Sequence, residues 1–171
     1  MLPGEDVRLG VEAFGATVAG LAAKLIQEVD KVHFGDRALR NRAADALAIL
    51  CRHHDKAFEL ACQNARNYAD LMKDMADASP YWPNGIDVIR KVTNRKEARS
   101  LLEEIRTSYM GFAQIEATDA LASFDTTAGI ERSLFDVKNW GAADEFESWK
   151  TTLTEEENRC LAVALATVGG R

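Results

Sequence analysis

Apolar side chains recur every three or four positions over most of this chain, which is the period of helices that bury one face. Leu9, Phe14, Val18, Leu21, Leu25, Val29 and Val32 form the first such stripe. Pro3-Gly4 precedes it, and Glu5 and Asp6 suit the positive end of a helix that begins there. Gly15 and Gly20 lower helix propensity but admit a closely packed neighbour. Phe34-Gly35-Asp36 then supplies a stop, a turn and a new cap.

From Arg37 to Ala78 there is neither proline nor glycine. Leu39, Ala43, Ala46, Leu50, His53, Ala57, Leu60, Asn64, Tyr68, Leu71 and Met75 keep the helical spacing. Wound as one helix, the segment would extend about 60 Å, a length that favours a bundle over a globin-like pack. The stripe thins at His53 and His54, which marks Cys51–Asp55 as the place for a kink, so one helix or two remains open. Ser79-Pro80-Tyr81-Trp82-Pro83-Asn84-Gly85 ends the segment, and Tyr81 and Trp82 are expected to cover an end of the bundle.

Ile86 to Val92 reads as a short helix or turn. Asn94 as N-cap, with Glu97 as its reciprocal partner, opens a third long helix. Its stripe is Ala98, Leu101, Ile105, Tyr109, Phe112, Ile115 and Ala122, and it ends near Phe124 or Asp125. Gly111 inside it implies a close neighbour or a bend. A less regular segment follows from Asp125, with a short helix at Asp144–Lys150 carrying Phe146 and Trp149. Thr154 and Glu157 form a capping box for a last helix with Leu161, Ala164, Leu165 and Val168 on its apolar face. Gly169-Gly170 stop it. No segment alternates polar and apolar residues as a strand would, and no period repeats between helices. The expected fold is all-α, an elongated antiparallel bundle of about four main helices with short accessory helices. Residues 1–125 would form its core, and 126–171 an irregular segment and packing helix of the same domain.

Composition narrows the class. The chain has 171 residues, 47% hydrophobic and 28% charged, with three prolines, which excludes collagen-like and wholly disordered proteins. Its 21 basic and 27 acidic side chains leave a net charge of −6, a field that does not draw a chain onto nucleic acid. Cys51, Cys62 and Cys160 are too few and too scattered for a disulfide framework or a zinc knot. On one helix Cys51 and Cys62 would stand roughly 16 Å apart, beyond bonding reach. Buried thiols in a reducing interior are the expectation. The longest stretches without Asp, Glu, Lys or Arg, Ala13–Ala23 and Cys160–Gly170, fall short of the roughly 20 residues that span a bilayer. With no basic start of a secretion signal, the expected location is cytoplasmic.

Candidate chemistry is sparse. A carboxylate-bridged metal site in a helical bundle needs paired Glu-x-x-His motifs. The chain offers Asp30-x-x-His33, and a Glu116-x-x-Asp119 without histidine, so no metal or other cofactor is expected. Ser108, Ser133 and Thr154 have no histidine nearby in sequence, and Gly10, Gly15 and Gly20 follow no strand, so neither a nucleophile–base pair nor a phosphate loop is seen. Arg90, Lys91, Arg95, Lys96 and Arg99 cluster at one end of the expected helix pair, and Arg37, Arg40 and Arg42 at the other. Solvated faces account for them, with a small acidic or phosphate-bearing partner as the alternative.

Two further patterns carry alternatives. His53 and His54 point about 100° apart on a helix, so one of them faces the seam. His53-His54-Asp55-Lys56-Ala57 resembles the His-x-x-Lys-Gly core of histidine phosphotransfer domains, with Ala57 where the motif has glycine. The resemblance implies His53 as phosphoacceptor and Lys56 as the cation offsetting the phosphoryl charge. The small-residue run Ala13–Ala23 resembles helices that insert into lipid after a soluble bundle opens, which implies a membrane-inserting effector as a second alternative. With no catalytic set in view, the primary expectation is a non-enzymatic protein–protein interaction, adaptor or assembly module. Its partner would be another protein or a second copy, and its candidate contacts are Tyr81, Trp82, Trp140, Trp149, Arg90, Lys91, Arg95 and Lys96.

Overall fold

A computed structural model describes residues 3–30, 37–73, 84–126 and 144–169. Among them all regular structure is helical. The helices are α1 (Pro3–Asp30), α2 (Arg37–His53), α3 (Asp55–Met72), α4 (Gly85–Arg90), α5 (Lys96–Ser108), α6 (Gly111–Thr126), α7 (Asp144–Lys150) and α8 (Glu155–Gly169).

The core is built around α2. Ala43, Ala44, Ala46, Leu47, Ala48, Ile49, Leu50 and Cys51 are all closed off from solvent, so this helix is buried on every side rather than along one stripe. Its alanines let α1, α3, α4, α7 and α8 all pack against it. From α1 come Val18, Leu21, Leu25 and Val29; from α5, Ala98, Leu102 and Ile105; from α7 and α8, Phe146 and Leu161. Arg40 Nε donates to the Val29 carbonyl at 3.2 Å, placing a cation at the negative end of α1. Gly20 meets α8 closely, since a Cβ there would stand 3.2 Å from a Glu157 oxygen, whereas Gly15 has open space where close packing was expected.

The long second helix is two helices. His54 is extended (φ −133°, ψ 121°) and serves as the N-cap residue of α3. Continuing the helix would have paired the Cys51 and Arg52 carbonyls with amides one turn on. Here Arg95 Nε takes the Cys51 carbonyl at 2.7 Å, and Asn94 Nδ2 takes the Arg52 carbonyl at 2.9 Å. Arg52 in turn reaches the Lys91 carbonyl and Thr93 Oγ1, both at 3.1 Å. Asn94 therefore does not cap α5 as the sequence suggested. It closes the end of α2, and the residue at the N-cap of α5 is Arg95. Cys51 and Cys62 consequently lie on consecutive helices, not one.

The long third helix is also two. α5 ends at an extended Tyr109, and α6 restarts at Gly111 with φ +65°. A Cβ at Gly111 would collide with the Lys73 carbonyl oxygen, so the bend and the close neighbour occur at the same residue. Beyond each break the buried face departs from the stripe expected of one continuous helix. In α3 it is Ala57, Phe58, Ala61, Asn64, Ala65 and Ala69, leaving Leu71 71% exposed. In α6 it is Ala113, Ala117, Ala120 and Leu121, leaving Ile115 52% exposed. The Thr154–Glu157 capping box forms as expected, with reciprocal bonds of 2.8 and 3.1 Å.

Candidate functional site

Of the expected contact residues that the structure describes, Trp149, Arg90, Lys91 and Arg95 have partners within the chain. Trp149 is buried and stacks on Phe146 with ring centroids 5.4 Å apart, so it belongs to the core and not to a docking surface. Lys91 holds Asp45 at 2.6 Å with both side chains mostly covered, and Arg90 pairs with Asp87 at 3.2 Å. Arg95 bonds Asp55 at 2.8 Å and lies over the Phe58 ring, besides closing α2. Lys96 is exposed. Arg40 and Arg42, from the other expected basic cluster, are buried. Tyr81, Trp82 and Trp140 lie outside the described residues, as do His33 and the turn at 34–36.

His53 is exposed at the last position of α2, off the seam where the sequence placed it, with Nε2 3.5 Å from Thr167 Oγ1. Lys56 lies beyond the His54 break, on α3, and faces Glu59 at 3.6 Å. The one-turn spacing that the phosphotransfer resemblance uses is therefore interrupted by a change of helix. His54 is the half-buried member of the pair, packed edge-on against Phe14, and burial followed by the neighbouring His53 lowers its pKa. In the run 13–23, Val18, Leu21 and Ala22 are core residues. Among the described residues no helix is long and apolar enough to cross a membrane, and no group of three or more His, Cys, Asp or Glu side chains is placed to hold a metal ion.

Two arrangements remain that sequence reasoning did not assemble. The first is a groove of about 400 Å³ between α3 and α5. Phe58, Cys62 and Leu101 give it an apolar floor. Glu59 and Arg66 on α3, and Glu97 and Glu104 on α5, stand along it. Arg66 Nε bonds Glu104 Oε2 across the groove at 3.0 Å. Burial pushes the Cys62 thiol up to about 11, which keeps it protonated and unreactive at neutral pH.

The second is a polar junction where α6 meets α3 and α4. Asn84 caps α4, its Oδ1 accepting the Ile86 and Asp87 amides at 2.9 and 3.1 Å. Its Nδ2 donates to Glu116 Oε1 at 2.9 Å. Tyr68 Oη faces the same carboxyl without reaching hydrogen-bond geometry. Both Oη and Glu116 Oε2 are shielded from solvent and have no hydrogen-bond partner, as does Asn64 Nδ2 one turn earlier on α3. Burial, and next the Asp87 carboxylate, push the Glu116 carboxyl up to about 7 against the opposing effects of Tyr68, Asn84 and Arg90. Burial also raises Tyr68 and Asp87. The only local signal for this cluster was Asn84 itself, an Asn-Gly after proline at the head of a helix. Comparison of the chain with protein-family models, with curated proteins and with solved structures returned no match.

Proposed function

We propose that the chain is a helical protein-interaction module, an adaptor or assembly unit that receives a basic amphipathic helix in the α3–α5 groove. The observation that carries this reading is the groove itself: an apolar floor of Phe58, Cys62 and Leu101 bordered by three carboxylates and a single guanidinium. A helix laid in such a groove puts its i, i+3 and i+4 apolar side chains on the floor and its flanking charges at the rim. Glu97 suits a lysine or arginine directly, Glu104 and Glu59 would exchange their contacts with Arg66 and Lys56 for the partner's cations, and the chain's net charge of −6 steers a cationic partner toward them. In this reading the other helices are the rigid frame. Lys91 and Arg95 hold that frame together through Asp45 and the Cys51 carbonyl.

The test is fluorescence anisotropy with a labelled basic amphipathic helical peptide, compared with its acidic counterpart. Wild type should bind the basic peptide, with affinity falling as salt rises. The double variant Glu97→Lys, Glu104→Lys, both positions being exposed, should weaken it on the order of tenfold or more. Absence of binding by wild type, or binding untouched by the charge reversal, overturns the reading.

A further inference from the structure

The α3–α5 groove has a direction. Arg95, which immediately precedes α5, lies 4.9 Å from the centre of the Phe58 ring, and Arg66, about two turns further along α3, bonds Glu104 of α5. The two helices therefore run the same way, and the groove extends from Phe58 and Glu97 at one end to Arg66 and Glu104 at the other. Its ends differ in charge. Glu59 and Glu97 stand at the first, with Glu59 held only by a 3.6 Å contact to Lys56. At the second, Arg66 Nε lies 3.0 Å from Glu104 Oε2, and Arg66 is the only cation among the described residues that line the groove. We propose that Arg66 is a specificity-determining residue: it holds Glu104 as a partner's lysine would, so the groove gives full weight to a cation at its Glu97 end and almost none to a second cation at its Glu104 end. This rests on the groove being the docking site for a basic helix.

Arg66 and Glu104 are each half-exposed, so water reaches their bond and exchanging it costs little. A partner's cation that takes Glu104 gains one ion pair and breaks another of the same kind. It also leaves the displaced guanidinium beside a like charge, so the net gain is close to zero. Glu97, exposed in the first turn of α5, makes no ion pair among the described residues, and a cation there adds a pair outright. On α5 the two glutamates are seven residues apart, about 10 Å along the axis. A helix laid along the groove meets both with cations at i and i+7, and its apolar side chains between them fall on Phe58, Cys62 and Leu101. With Arg66 in place, the cation at i is read and the one at i+7 is not.

Anisotropy titrations with two labelled helical peptides test this. The peptides share one apolar face and a lysine at i, and the second carries a further lysine at i+7 where the first has glutamine. The readout is the preference, the ratio of affinity for the two-lysine peptide to affinity for the one-lysine peptide. Arg66→Ala should raise the preference about two- to fivefold over wild type. Glu104→Gln should change it little in wild type and should abolish the gain in the Arg66→Ala background. Arg66→Lys keeps a cation opposite Glu104 and should behave as wild type. Arg159→Ala makes the same change in net charge from an exposed position on α8 and should leave the preference alone. If wild type binds the peptides but Arg66→Ala leaves the preference unchanged, or Arg159→Ala raises it as much, the role of Arg66 is overturned and the groove stands. If neither wild type nor Arg66→Ala binds either peptide, the groove and the role of Arg66 fall together.

Discussion

Lys24 Nζ lies 2.6 Å from Glu157 Oε1, the same oxygen that accepts the Thr154 amide at 2.8 Å. One carboxylate thus completes the N-terminal cap of α8 and anchors that helix to the C-terminal third of α1. Glu157 is almost wholly enclosed while the Lys24 side chain stays 36% exposed, so solvent reaches the link from the lysine side only.

Replacing Glu157 by alanine should cost about 1 to 2 kcal/mol, most of it the lost cap and the rest the half-exposed pair with Lys24. Urea unfolding measures it. Burial alone would raise this carboxyl, but Lys24 and Thr154 outweigh it and hold it below its ordinary 4.5. A lowered folded pKa means stability that is complete above the unfolded value and lost as pH falls through the folded one. The stability difference between wild type and Glu157→Gln should accordingly be full near neutrality and shrink in acid.

Gly111→Ala should destabilise by about 2 to 4 kcal/mol, because the backbone is left-handed there and the new methyl meets the Lys73 carbonyl. Thermal or urea unfolding checks this. Gly15→Ala, at a helical position with open space around it, is the control and should leave stability level or raise it.

Arg95 and Lys96 are neighbours in sequence with opposite expected consequences. Arg95→Ala removes the bond to the Cys51 carbonyl, the Asp55 pair and the cation over Phe58, and should cost about 1 to 3 kcal/mol. Lys96→Ala, at an exposed position, should stay within about 0.5 kcal/mol. Equal losses in paired unfolding curves would contradict the structural role given to Arg95.

Local grammar was enough to find the helical segments, the Thr154–Glu157 cap and the burial of Leu39, Ala43, Ala46 and Leu50. It also marked both places where the chain bends, the thinning at His53-His54 and Gly111. It did not reveal that each bend is a full break, because the groups that make the first break come from Asn94 and Arg95, some forty positions away. The consequence was a slipped phase. Leu71 and Ile115 continue the apolar stripe on paper, yet each follows a break that turned the buried face away from it. The groove and the Glu116 junction were illegible for a related reason. Each joins residues of α3 to residues of later helices, and nothing in the spacing of Tyr68 or Glu116 announces the other. The basic cluster misled in the opposite direction, since charge alone does not distinguish a solvated lysine from Lys91 paired with Asp45.

The elbow at His54 has a consequence for how the molecule assembles. Its two freed carbonyls are satisfied by a connector made much later in the chain, so the angle between α2 and α3 is not encoded where it occurs. Without that connector, local winding favours a straight rod through His54, and only the packing of α1 against both helices opposes it. The corner is therefore a non-local contact in kinetic terms, formed after its own helices and carrying the slower closure of a long loop.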